Sequence, residues 1–339
     1  MVKVSVVILN WNGRQMLEQF LSSVCSYSNM EGVEVVVADN ASSDDSISFL
    51  NSHYPEIRQI ILDKNYGFSE GYNRALAQLD SEYFVLLNSD VEVTNGWLKP
   101  VINYMDKHPD VAACQPKIRS YTNKEYFEHA GACGGFIDVF GYPFCRGRIL
   151  NVMEKDNGQY DTITDLFWAS GAAFFVRASE FWGNEGLDKN FFAHMEEVDF
   201  CWRLRSRGKR VVCVPQSVVY HVGGGTLNMD NPHKTFLNFR NDLLMIYKNE
   251  LPKRLNRVLF VRFFLDYAAA FVFLLKRDIQ NCKAIFLARK EFHQMKLLYC
   301  DIRKRNLEQT VNENIMEIFH QSIILNFYFK GIKKFQEWR

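Results

Sequence analysis

Three carboxylates stand within four residues at Glu196-Glu197-Val198-Asp199. Crowded like charges raise the pKa of at least one member, which suits a general base. A further carboxylate, Asp90, sits in the turn Asn88-Ser89-Asp90, directly after the apolar run Tyr83-Phe84-Val85-Leu86-Leu87. A carboxylate exposed at the end of a buried strand can ligate a divalent cation, and Asn88 can contact a ribose or a metal-bound water. His221 follows Ser217-Val218-Val219-Tyr220 and opens the segment Val222-Gly223-Gly224-Gly225-Thr226. Asp39 ends the run Val37-Ala38 and can accept hydrogen bonds from a base or ribose. Asn65-Tyr66-Gly67-Phe68-Ser69-Glu70-Gly71-Tyr72-Asn73 sets glycines and polar groups ahead of a helix, where backbone amides suit a diphosphate. Together these groups supply what transfer from a nucleoside-diphosphate donor requires: a base for the attacking hydroxyl and positive charge for the leaving group.

Each piece also has a plainer reading. Asp39 serves equally as a turn or cap residue, and Asn88-Ser89-Asp90 as a strand-end turn. The acidic run can complement a helix dipole, more so at Asp199 than at Glu197, which is placed ahead of the helix. The Asn65–Asn73 segment lacks Gly-x-Gly-x-x-Gly, so it is no dinucleotide fingerprint.

The elements that must hold these residues alternate through the first half. Apolar runs predict strands over Val4–Leu9, Val33–Ala38, Ile57–Leu62 and Tyr83–Leu87. Helical spacing covers Met16–Tyr27 and Ser69–Leu79, and Ser42–Ser46 is rich in capping residues. Such alternation predicts a parallel sheet with helices on both faces. Pro116 to Asp165 reads as loops and short strands over that sheet. Leu166–Arg177 reads as one strand, Phe200–Arg207 as a helix and Arg210–Val214 as a strand.

Helices take over from Phe236, which divides the chain into a catalytic domain over 1–235 and a helical region over 236–339. Val258–Leu275 is apolar apart from Arg262 and Asp266, four apart and able to pair. Lys253, Arg254, Arg257, Lys276 and Arg277 flank it, and Ile323–Phe329 is a second aromatic run with Lys330, Lys333 and Lys334 behind it. This pattern fits contact with an anionic membrane surface, with a buried helix and a true span as competing readings.

Composition sets the outer bounds. The 339 residues are 47% hydrophobic and 23% charged, which marks a globular chain. A net charge of +1 argues against a dedicated nucleic-acid binder. The eight cysteines lie mostly in apolar contexts with no Cys-x-x-Cys, and no leader is read before the strand at Val4; both favour reduced thiols and a cytosolic setting.

Seven segments in order resemble the family-2 inverting glycosyltransferases with a GT-A fold, in their rhamnosyltransferase-like branch. They are Val6–Gly13, Val37–Ser42, Asn65–Phe68, Leu87–Val91, Ser170–Ala172, Glu196–Asp199 and His221–Gly224. The resemblance runs from about Val4 to Asn249. It implies a Rossmann-like, mostly parallel central sheet and transfer of a sugar from a nucleotide-diphosphate donor, with dTDP-rhamnose the first expectation. The implied acceptor is a saccharide, lipid-linked, in bacterial surface polysaccharide synthesis at the inner face of the cell membrane. A catalytically silent nucleotide-sugar-binding relative is the alternative. By the resemblance Glu197 takes the place of the catalytic base, with Glu196 and Asp199 beside it, although the family's pair is usually Glu-Asp. Asp90 and His221 would hold Mg²⁺ or Mn²⁺. Asn10, Asn12, Asp39, Asn65, Gly67, Asn73, Asn88 and Arg240 would line the donor, with Arg240 reaching the diphosphate or the acceptor.

Overall fold

The computed structural model describes residues 2–223 and 231–338. The chain begins with β1 (Val4–Asn10), α1 (Arg14–Ser28), β2 (Val33–Asp39), α2 (Ser46–His53), β3 (Arg58–Ile61), α3 (Gly67–Leu76) and β4 (Tyr83–Leu87). There follow β5 (Val91–Val93), α4 (Leu98–Lys107) and β6 (Val111–Ser120). Short strands β7 (Gly135–Asp138), β8 (Pro143–Cys145), β9 (Arg148–Ile149) and β10 (Val152–Met153) fill the middle. Next come β11 (Thr164–Leu166), β12 (Ala173–Arg177), α5 (Ala178–Gly183), α6 (Glu196–Ser206) and β13 (Arg210–His221). The tail holds α7 (Pro232–Asn249), α8 (Pro252–Leu275), α9 (Ile279–Met295), α10 (Cys300–Glu308), β14 (Ile318–Phe319) and α11 (Ile323–Phe329).

The main sheet runs β11-β13-β6-β12-β4-β1-β2-β3, with β5 on β13. It separates two apolar layers, and the strands feed both by alternation. Val4, Val6 and Ile8 of β1 point to one layer and Val7 to the other; β4 sends Tyr83, Val85 and Leu87 one way and Phe84 and Leu86 the other. Helices α1 and α4 cover the first side through Leu17, Leu21, Leu98, Val101 and Met105. A sheet buried on both faces needs the near-continuous apolar strands seen in the sequence.

Pairing is parallel from β3 through β2 and β1 to β4, where strand and helix alternate. Beyond that it is mixed. β12 runs antiparallel to both β4 and β6, because it returns from a long excursion instead of a helical crossover. The run Leu166–Arg177 is not one strand: β11 and β12 are separated by the Ser170-Gly171-Ala172 turn, where Ser170 Oγ bonds the Ala172 N–H. Conversely, Arg210–Val214 and Ser217–Tyr220 belong to a single strand, β13, whose register shifts between Val214 and Val218, next to Pro215. Strand β6 and helix α4 were not anticipated.

The short middle strands form a second sheet, β10-β9-β8-β7-β14. Its edge strand β14 comes from the far C-terminal segment and pairs with β7. The division at residue 235 falls inside α7, so a continuous helix ties the two regions together. Arg262 and Asp266 do pair, at 3.1 Å. Five cysteines are buried free thiols.

Candidate active site

Strand ends bring Asp90 and His221 together. His221, the last residue of β13, pairs opposite Val91 of β5, and the Val222 N–H donates to the Asp90 carbonyl at 3.1 Å. That register sets His221 Nε2 3.1 Å from Asp90 Oδ1 and 3.5 Å from Asn88 Nδ2. On its other side, Nδ1 lies 3.1 Å from Glu128 Oε2, off the line a hydrogen bond needs. Burial alone would lower the His221 pKa; the carboxylates of Asp90 and then Glu128 beside it overcome this and push it up to about 10. Asp90 is likewise penalised by burial, yet the His221 contacts hold its carboxyl below the usual range. Glu128 was not anticipated: it lies in irregular chain with no motif around it. Of the expected glycine loop, Gly224, Gly225 and Thr226 lie outside the described residues.

Among the described residues no group of three or more His, Cys, Asp or Glu is arranged to hold a metal ion. Asp90 and His221 nonetheless fit half of such a site where a cation takes the place of the proton between Asp90 Oδ1 and His221 Nε2, since a ligating imidazole must be neutral. An oxygen and a nitrogen donor stand side by side, and the outer carboxylate Glu128 can fix the imidazole, as partners of ligating histidines do. A diphosphate would supply the remaining oxygens.

The acidic run is split by its surroundings. α6 starts at Glu196, so Glu197 lies within the first turn and not ahead of the helix. Glu196 is buried and its Oε2 has no partner. Desolvation, then the Glu197 charge, raises its pKa well above normal. Glu197 is half-buried; desolvation raises its pKa as well, opposed by backbone N–H groups of its own turn and of Gly171. A methyl at Gly171 would stand 3.3 Å from the Phe68 ring and 3.9 Å from the Glu197 carboxyl carbon. Gly171 therefore places Glu197 beside the turn that pairs with the end of β4, where the Asn88 N–H donates to the Ala172 carbonyl.

Asp199 faces elsewhere. It is fully buried and bonds Lys248, Arg203 and Asn249. Burial would raise its pKa, but the charges of Lys248 and Arg203 hold it down. That geometry makes it the anchor of α6 on α7, with no route to a reacting group.

The segment before α6 is strained. Phe192, His194 and Met195 all have φ near +70°, a region that non-glycine residues rarely adopt. Side chains from α7 hold it there. Asn241 Nδ2 donates to the carbonyls of Phe191, Ala193 and His194, and Arg240 to those of Asn190 and Phe191. Arg240 also pairs with Glu291 at 2.7 Å. Its guanidinium is thus committed to positioning this segment, which corrects the expectation that it reaches the diphosphate or the acceptor.

The Asn65–Asn73 segment grips the same strained loop. The N–H groups of Phe68 and Ser69 donate to the Phe192 carbonyl, and the Gly67 N–H to Asn65 Oδ1. The amides expected to meet a diphosphate are therefore engaged already. Gly67 has φ +74°, and a Cβ there would come within 2.5 Å of the Phe192 ring. Asn73 bonds Leu187 through both its amide nitrogen and its oxygen, holding the chain that leads into the loop.

Asp39 lies in a polar floor at the ends of β1 and β2. Its carboxylate accepts from Asn10 Nδ2 at 3.0 Å and the Ser42 N–H at 2.8 Å. Asn10 Oδ1 is buried without a partner, and only the absence of a side chain at Gly13 leaves room above it. Asn12 instead folds the loop, accepting from the Ser43 N–H at 2.7 Å. Asn40, also not anticipated, links the Asp39 floor to Asn65 and to the Gly67 carbonyl at 3.0 Å each. A cavity of about 700 Å³ between α7 and α9 is lined by none of these residues.

Comparison with known proteins bears on the family and the fold. The family model described as Glycosyl transferase family 2 matches residues 5–178, just over half of the chain. An N-acetylglucosaminyl-diphospho-decaprenol L-rhamnosyltransferase of Mycobacterium tuberculosis is 27% identical over 231 residues, covering 64% of this chain and 75% of that protein. Rhamnosyltransferase WbbL of Escherichia coli is 24% identical over 225 residues, covering 64% and 83%. Among solved structures, the mannosyltransferase PcManGT of Pyrobaculum calidifontis in complex with GDP-Man and Mn²⁺ superposes with a TM-score of 0.53. It is 12% identical and covers 97% of this chain and 87% of that one. The fold is GT-A.

Proposed function

The chain belongs to glycosyl transferase family 2, and we propose that it moves a sugar from a nucleotide-diphosphate donor to a saccharide hydroxyl with inversion at the anomeric carbon. The observation that carries this reading is the Asp90–His221 contact, assembled by the β13–β5 register and joined through Asn88 to the Gly171 turn that places Glu197.

In the proposed reaction the Asp39–Asn10 floor accepts the nucleoside, and the unpartnered Asn10 Oδ1 faces it. Asp90 and His221 would hold Mg²⁺ or Mn²⁺, whose charge neutralises the diphosphate as it departs. Glu197 removes the proton from the acceptor hydroxyl. That oxygen forms its bond to the anomeric carbon while the bond from that carbon to the diphosphate oxygen breaks. The pKa of Glu196 is pushed the further up of the two, which leaves Glu197 the member of the pair that gives up its proton first. Arg240 and Asn241 position the loop that leads into both.

The names of the mycobacterial and E. coli relatives support rhamnose as the donor sugar, and the mycobacterial one supports a lipid-linked saccharide acceptor. We place the reaction in polysaccharide synthesis at the cytoplasmic face of the membrane. A panel of nucleotide sugars with and without Mn²⁺ tests the reading, with donor binding and slow donor hydrolysis measured for each. dTDP-rhamnose bound and hydrolysed in a metal-dependent way is the expected result. Binding with no hydrolysis and no transfer to any saccharide would leave a silent relative instead.

A further inference from the structure

Helix α8 is amphipathic in the reverse sense of a soluble helix. Its buried positions are Leu255, Val258, Arg262, Asp266 and Ala270, spaced as one stripe. That stripe turns the helix's two mid-helix charges, Arg262 and Asp266, inward. Arg262 pairs with Asp242 of α7 and Asp266, Asp266 also pairs with Arg289 of α9, and Arg262 donates to the Phe140 carbonyl at 3.2 Å. The outward face holds Phe260, Phe263, Phe264, Phe271, Leu274 and Leu275, with Phe260 65% and Leu275 68% exposed.

The exposed rings form one continuous strip over two helices. Phe260 contacts Phe264, Phe264 contacts Phe263, Phe263 contacts Tyr267 and Tyr267 contacts Phe286 of α9, with centroids 4.8–5.4 Å apart. A contiguous apolar patch of this kind marks an interaction surface. Its surroundings are one-sided in charge: from 252 to 296 the sequence has ten Lys or Arg, of which Arg262 and Arg289 are buried, and three Asp or Glu, of which Asp266 is buried. Lys253 and Arg257 are exposed at one end of the strip, and Lys276 and Arg277 at the other.

We infer that the outward face of α8, continued by Phe286 on α9, docks the protein on an anionic lipid bilayer by shallow insertion of its aromatic strip. Basic residues beside an apolar face complement anionic headgroups, and such a face beds into the boundary between headgroups and acyl chains. α8 is the one helix among the described residues long and apolar enough to cross a membrane. It does not cross here, because leaving the domain would strand Arg262 and Asp266 in hydrocarbon and orphan Asp242 and Arg289. The inference rests on the proposed function for its purpose, delivery of the site to a lipid-linked acceptor, and on the surface alone for its evidence.

The test is flotation of the full chain with vesicles of phosphatidylcholine alone or with 30% phosphatidylglycerol, each at low and high salt. Strong partitioning to the anionic vesicles is expected, falling at high salt. The triple variant Phe260→Ser/Phe264→Ser/Phe271→Ser should partition at least tenfold less, and Lys276→Glu/Arg277→Glu roughly tenfold less. Donor hydrolysis in solution should be unchanged in both, so failure of docking and failure of the proposed reaction are read separately. Phe264→Trp is the conservative probe: its emission should shift to the blue and be quenched by brominated lipid in anionic vesicles. An unquenched tryptophan, wild-type partitioning by the triple variant, or a wild-type dimer that the triple variant dissociates would overturn the inference; the last would assign the face to a second copy of the chain.

Discussion

Two adjacent glutamates have different fates because a helix begins beneath them. Both have a buried Oε2 without a partner, but Glu196 is the more deeply buried and its pKa is pushed well above the usual range by desolvation and the Glu197 charge, whereas backbone N–H groups oppose the rise at the half-buried Glu197. A base with a raised pKa makes the rate depend on pH in a defined direction. Transfer, as kcat/KM, should fall as pH drops through the Glu197 pKa, with an apparent value above that of a free glutamate. Glu196→Gln copies the neutral form already present, so it should retain activity within about tenfold and keep the acid limb of the profile. A profile flat from about pH 5 to 8 would count against Glu197 as the titrating base. The acidic pair, Asp90 and His221 were all legible as residues, because carboxylates and a histidine at strand and helix ends are conspicuous in sequence. Glu128 and Asn40 were not. Their roles come from pairing with residues 25 and more than 90 positions away, which no local pattern encodes.

At the scale of elements, the site depends on a strained loop clamped from two sides. α3 grips the Phe192 carbonyl, and α7 grips Phe191 to His194 through Asn241. Asn241→Leu leaves the Ala193 and His194 carbonyls short of a donor while Phe191 keeps Arg240, at about 1–3 kcal/mol for each left unsatisfied. Its expected signature is a fall in kcat with donor affinity preserved, since the Asp39 floor is elsewhere; steady-state kinetics beside donor titration checks this. Asp199 answers to a different assay. Asp199→Ala should destabilise the fold by about 3–5 kcal/mol in denaturant titration, because it uncouples a buried cation. With its native pKa held below the unfolded value, Asp199 gives stability that is full above the unfolded pKa and lost as pH falls through the native one. The parallel half of the sheet was legible because apolar strands alternate with helices. The reversed β12 was not, since strand direction after a long excursion follows from packing and leaves no periodic trace.

The whole molecule is more closely knit than a catalytic domain with an appendage. β14 completes the second sheet, Phe319 and Phe335 stack on Phe136 and Phe144, and the Phe335 N–H bonds Glu154. A chain ending at residue 313 would lose buried Ile315, Ile318, Ile323 and Phe335, each worth about 2–5 kcal/mol, against a domain stability of about 5–15 kcal/mol. It should be recovered aggregated; a soluble, donor-binding truncation would show the tail to be dispensable. The aromatic excess seen in the sequence thus has two destinations, this second core and the outward face of α8. Composition counts both alike, and only burial separates them.

The central claim, that Glu197 is the base of an inverting transfer, is tested most directly by one variant measured two ways. Glu197→Gln removes the proton acceptor with almost no change in shape. Transfer to acceptor should fall by at least about 100-fold while the donor Kd stays within about twofold of wild type. Loss of binding in step with turnover, or transfer that survives the substitution, would contradict it.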